Sequence, residues 1–198
     1  MRTTAVWPPT THDHASLVHA YATVLRWPLS VNGHAATEHT ARELADDKAA
    51  LVHTECTAFD AVSVPRAAGR DALLRLDRRD LLVPSLLAAD QVVMLVAPGT
   101  GVPLGDLPGV EVASGAGACV LLPPTAGVRW DNVPWSDTDP APLGLTDGQR
   151  VCASLTEGLR IYGPSARPNV APASNRMIVA GRSGAVLAQV RASQRAGR

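Results

Sequence analysis

The segment Gln91-Val92-Val93-Met94-Leu95-Val96, closed by Pro98-Gly99, constrains this chain more than any other. An apolar run of strand length with no polar alternation is buried on both faces, so it must sit inside a sheet with material packed above and below it. Residues 118–122 (Ala-Cys-Val-Leu-Leu), stopped by Pro123-Pro124, read in the same way. Three weaker strands join them. Residues 58–64 end at Pro65, residues 29–31 precede an Asn32-Gly33 turn, and Val110-Glu111-Val112 alternates like an edge strand before a glycine turn at 115–117.

Helical spacing appears between these strands. Leu17, Val18, Tyr21, Val24 and Leu25 predict an amphipathic helix over 14–26, ended by Trp27-Pro28, since a residue before proline is pushed out of the helical region. Further helices are expected at 38–50, at 69–76 and at 151–162, the last with Thr146 or Asp147 as its cap. Strands and helices mingle with hairpin-sized gaps, which points to an α+β domain with a mixed β-sheet and flanking helices. The length of 198 residues suits one such domain. Residues 1–13 form a loose start, 14–162 the body, and 163–198 an extension. Within the extension, a Pro, Ala, Ser and Asn-rich linker at 163–175 precedes a strand at 177–180. A turn at Ser183-Gly184 and a strand or short helix at 185–190 follow.

No apolar run approaches the ~18 residues that cross a bilayer, and the start lacks a secretory pattern, so a cytoplasmic protein without a membrane partner is expected. Cys56, Cys119 and Cys152 are dispersed and odd in number, which signals neither a zinc site nor a disulfide framework. The zero net charge conceals an asymmetry. Residues 1–157 hold 11 basic and 18 acidic groups, whereas Arg160, Arg167, Arg176, Arg182, Arg191, Arg195 and Arg198 follow with no acid among them. Such a basic arm fits DNA or RNA, an acidic protein partner, or the chain's own acidic body. Arginine count alone says little, because Lys48 is the only lysine and the composition has a high-GC character.

Three segments in order carry a family resemblance. They are Ala20-Tyr21-Ala22 through Arg26-Trp27-Pro28-Leu29-Ser30-Val31; Phe59-Asp60-Ala61-Val62-Ser63-Val64-Pro65 with Gly69 and a leucine-rich helix; and Val110-Glu111-Val112 through Gly115-Ala116-Gly117, Pro123-Pro124-Thr125 and Gly127-Val128-Arg129-Trp130. Spanning about 17–135, the chain resembles the N-terminal domain of bifunctional DNA primase/polymerases, in particular their small actinobacterial members. The resemblance implies a primase–polymerase-like fold with an RRM-like core. It also implies metal-dependent nucleotide addition by carboxylates on neighbouring strands.

The residues for that chemistry are incomplete. Two divalent metals need hard oxygen ligands, and magnesium dehydrates reluctantly. Where active members place an acidic pair before the proline, Asp60 stands alone, with Ser63 or Val64 at the second position. The strand expected to carry a phosphate-contacting histidine, Gln91–Val96, has none, and all six histidines precede residue 54. Glu111 keeps the acid of the third segment. No catalytic residue is therefore assigned and no cofactor is expected, except magnesium or manganese at a residual Asp60/Glu111 site.

Other patterns carry less. His34 and His39 are spaced i, i+5, about 140° apart on a helix, so they do not chelate together. His12-Asp13-His14 reads as polar chain, and Ser114-Gly115-Ala116-Gly117 lacks the ending of a phosphate loop. Trp130 and Trp135 bracket a short loop, where they either stack on bases or anchor the sheet edge. Three functions follow, in this order. The first is a catalytically degenerate domain, a pseudoenzyme binding nucleic acid or nucleotide through Arg176, Arg182, Arg191, Arg195, Arg198, Trp130 and Trp135. The second is a protein-interaction or homo-oligomerising module on the same scaffold, and the third an active metal-dependent primase/polymerase.

Overall fold

A computed structural model of the chain describes residues 7–10, 13–88, 90–163 and 178–180. The domain is α+β. One eight-stranded sheet runs in the order β2 (His34–Ala35), β1 (Leu29–Val31), β3 (Val52–Pro65), β5 (Gln91–Val96), β4 (Ser85–Leu87), β7 (Arg129–Asn132), with β6 (Glu111–Leu121) and then β8 (Ile178–Ala180) on the other side of β3. Every ladder is antiparallel among the described residues, where a mixed sheet had been expected. The linker at 163–175, the Ser183-Gly184 turn and the segment 185–190 lie, but for Gly163, outside the described residues. No helix among the described residues is long and apolar enough to cross a membrane.

β3 is the axis of the sheet. Its first half pairs with β1 and its second half with β5 along one edge, while β6 follows the opposite edge. Alternation sends its residues to two cores. Phe59 and Ala61 join Val93 and Leu95 beneath α1 (His14–His19) and α2 (Glu38–Ala45), whereas Val62 and Val64 join Val92, Met94 and Val96 beneath α3 (Arg66–Asp77) and α4 (Gly148–Tyr162). This is how the apolar run of β5 comes to be buried on both faces.

Local chemistry accounts for the element ends. The side chains of Asp13, Thr37 and Asp147 cap α1, α2 and α4 by accepting from the backbone N–H of Ala15, Thr40 and Gln149. Asn32 and Gly33 have φ of 52° and 87°, the two left-handed residues of a tight hairpin turn joining β1 and β2. The first helix is shorter than its pattern suggested. After His19 it widens into a π-turn over Ala20–Val24, in which Leu25 N–H donates to Ala20 O at 3.0 Å.

That widened turn delivers Tyr21 into an aromatic cluster with Trp7, Trp27, Phe59, Trp130 and Trp135. The cluster gathers all four tryptophans and the only phenylalanine of the chain. Tyr21 is fully buried, and its hydroxyl accepts from Trp130 Nε1 at 2.8 Å, so neither polar tip is orphaned. Burial holds the phenol proton well above its ordinary pKa.

The expected glycine turn at 115–117 is not a turn. β6 continues through it, from Glu111 opposite Ser63 to Leu121 opposite His53. Two bulges that cancel make this possible, one on β3 between Cys56 and Ala61 and one on β6 between Gly115 and Cys119. Gly115 and Gly117, at φ of 78° and 83°, take the left-handed conformations that the kink in β6 requires.

On the other face the helices approach closely. A Cβ at Gly158 of α4 would lie 2.5 Å from the Ala68 carbonyl oxygen of α3, a backbone atom that cannot turn away. Gly158→Ala therefore is expected to destabilise by about 1–3 kcal/mol, although the same change in an open helix stabilises by roughly 1 kcal/mol. Urea unfolding measures the sign, and a more stable variant would contradict this packing.

Candidate functional site

Asp60, the one acid of its segment, sits where the β3 bulge closes and β3 begins to pair with β5, opposite Val96. It is 0% exposed. Its two carboxylate oxygens accept from different partners: Oδ2 from Gly101 N–H at 2.8 Å, and Oδ1 from Ser114 Oγ at 2.6 Å. Gly101 begins the loop that forms the 3-10 turn Val102–Asp106, and a Cβ there would lie 2.8 Å from Asp60 Cβ. The next residue back, Thr100, accepts at Oγ1 from Gly148 N–H, tying the same loop to the start of α4. Asp60 thus clasps β3, β6 and this loop together. No face of it opens toward an ion.

Glu111 does not join Asp60. It pairs with Ser63, which shares the α1/α2 side of β3 with Ala61, whereas Asp60 shares the α3/α4 side with Val62 and Val64. The two carboxylates lie on opposite faces of the sheet, so the residual Asp60/Glu111 metal site is not assembled. Ser63 and Val64, the two positions at which the resemblance would put a second carboxylate, are both buried, and the Ser63 hydroxyl has no hydrogen-bond partner among the described residues. Among the described residues no group of three or more His, Cys, Asp or Glu side chains is arranged to hold a metal.

Trp130 and Trp135 are core residues and not a stacking surface. They are 7% and 2% exposed and packed edge to face, with ring centroids 5.9 Å apart, so neither offers a face to a base. Arg176, Arg182, Arg191, Arg195 and Arg198 lie outside the described residues.

Two features escaped the sequence reading. The first is a polar patch on the first half of β3. Val52 and Cys56 enter the α1/α2 core, so His53 and Glu55 point to the other face, where Cys119 lies opposite Glu55. The signal was present in Val52-His53-Thr54-Glu55-Cys56, but the strand was expected to start only at residue 58. Burial lowers the pKa of His53 and raises that of Cys119, and Glu55 raises both. Cys56, deeper in the core, is pushed up to about 12 by burial first and by Cys119 second. These thiols stay protonated at neutral pH, the opposite of what a nucleophile or soft-metal ligand needs.

The second feature is two pockets at the sheet edge beside α3. One, about 410 Å³, is lined by Arg66, Leu87, Ala88, Gly127, Val128 and Arg129. The other, about 280 Å³, is lined by Arg70, Leu73, Leu74, Asp77, Asp131 and Asn132. Neither β4 nor β7 was expected from sequence. Ser85-Leu86-Leu87 and Arg129-Trp130-Asp131-Asn132 are too short to show a period. No protein-family model, curated protein or solved structure matches the chain.

Removing the Asp60 carboxylate leaves the Gly101 N–H and the Ser114 hydroxyl without their acceptor, so Asp60→Ala is expected to cost about 2–4 kcal/mol in denaturant unfolding. Wild-type stability in that variant would remove the clasp. For His53 the pH sign is fixed by its depressed folded pKa. Below about pH 6.5 the unfolded chain binds a proton there that the folded chain resists. Stability therefore falls as pH drops from about 7 toward about 5, and His53→Gln flattens that part of the profile.

Proposed function

We propose that this chain is a catalytically degenerate primase–polymerase-like domain of the cytoplasm, a pseudoenzyme that binds nucleic acid or nucleotide without efficient nucleotidyl transfer. The observation that carries the reading is the engagement of Asp60, whose two oxygens are both committed to holding the fold. A carboxylate that is 0% exposed and engaged at both oxygens presents no oxygen to a cation that demands several of them. The kinship behind the proposal is supported by the sheet, which sets the strands bearing Asp60, Met94 and Glu111 side by side. Binding in place of catalysis is supported by the seven arginines that follow Glu157 without a single acid.

With the tryptophans in the core, base stacking leaves the proposal and phosphate contact carries it. Fluorescence anisotropy on a labelled oligonucleotide is expected to show affinity that falls steeply with salt. Replacing Arg191, Arg195 and Arg198 by Gln in the full chain lowers the salt slope by about 1 for each phosphate that is no longer neutralised. Failure of the unaltered chain to bind at about 50 mM salt ends the nucleic-acid reading. Primer extension with magnesium or manganese is expected to give no product; a lengthened primer returns the chain to the enzymes. A second reading, a homo-oligomerising module on the same scaffold, is favoured by one observation: β7 ends the sheet and pairs with β4 alone among the described strands.

A further inference from the structure

β7 ends the sheet and, among the described strands, pairs with β4 alone. Its outer backbone groups therefore face away from the sheet, which makes them a template for another strand. The side chains on this edge are sorted by face. Trp130 pairs with Leu86 and enters the aromatic core, while Arg129 pairs with Leu87 of the α3/α4 layer. Arg129 thus stands on the α3 side, and Asp131, where β7 bulges between Trp130 and Asn132, lines a pocket there with Arg70 and Asp77; both are exposed, and neither forms an ion pair among the described residues.

Opposite charges two residues apart on an open edge are self-complementary in one register. Antiparallel pairing places like faces together, so a second copy meets β7 centred on residue 129, 130 or 131. Centring on Arg129 sets arginine against arginine, and centring on Asp131 sets aspartate against aspartate. Only centring on Trp130 puts Arg129 of each copy opposite Asp131 of the other, twice. A two-fold axis normal to the sheet keeps both α3 helices on one face, with β4 and β7 of each copy between them.

We propose that two copies of this chain associate through β7 about such an axis, joining their sheets edge to edge. The arrangement is isologous and closes on itself, so it stops at a dimer. It rests on the oligomerising-module reading and names the surface that module uses. It is independent of nucleic-acid binding.

Light scattering on the full chain tests it together with R129D and D131R. Both positions are exposed, and circular dichroism checks that each variant keeps its fold. The unaltered chain is expected to dimerise at micromolar concentration. R129D faces itself with aspartates only and D131R with arginines only, so each weakens self-association at least about tenfold. An equimolar mixture of the two restores every opposite-charge pair and is expected to give a heterodimer, although neither variant dimerises alone. A monomer at all concentrations up to about 0.5 mM removes both the dimer and the module reading. A dimer indifferent to both substitutions keeps the module but takes away this surface. A mixture of the variants that stays monomeric rejects the register.

Discussion

A carboxylate with no contact with solvent has to be satisfied from within, and Asp60 is satisfied by two elements that the chain delivers far apart in sequence, Gly101 and Ser114. Because one side chain joins β3 to β6 and to the loop after β5, whose Thr100 accepts from Gly148 at the start of α4, the sheet, the loop and the helix are held in one arrangement. The bulge on β3 puts Asp60 within reach of both partners, and the answering bulge on β6 returns the strands to register beyond it. The same engagement decides what the region can do: an anchor of the fold is not also an open ligand.

The remaining ionisable groups of the interior follow the same logic. His53, Cys56 and Cys119 lie along one stretch of β3 and β6, and burial favours the neutral form of each. A protein built in this way keeps its charge on its rim. Among the described residues that rim includes the mixed charges of α3 and β7, Arg70 and Arg129 beside Asp77 and Asp131. Interior neutrality and rim charge together turn attention from chemistry inside the sheet to recognition at its margin.

Much of the fold could be read from residue order, and the failures share causes. β5, with its uninterrupted apolar run, and α4, with Val151, Leu155 and Leu159 on one stripe, were evident because burial imposes their pattern over several residues. β4 and β7 are too brief for any period, and β7 carries two charges that face solvent. Gly115-Ala116-Gly117 looked like a reversal because glycine permits one, yet pairing on β3 carries the chain straight on. The site was readable only in its residue types. Asp60 and Glu111 were both picked out, but which face each occupies depends on a register that only the paired strands set. For Trp130 and Trp135 the residue type allows either surface or core; the core holds Trp130 by the hydrogen bond of its indole to the buried Tyr21 phenol and Trp135 by ring packing on Trp7, Tyr21 and Trp130.

The gathering of every tryptophan on one side of the sheet has a practical consequence. Intrinsic fluorescence of this protein reports the α1/α2 half and is blind to loosening between α3 and α4. A transition followed by emission alone would register only one half of a molecule whose layers separate in sequence. Cys152, half-buried on α4 and packed against the opposite core, is the natural attachment point for a second, independent optical probe.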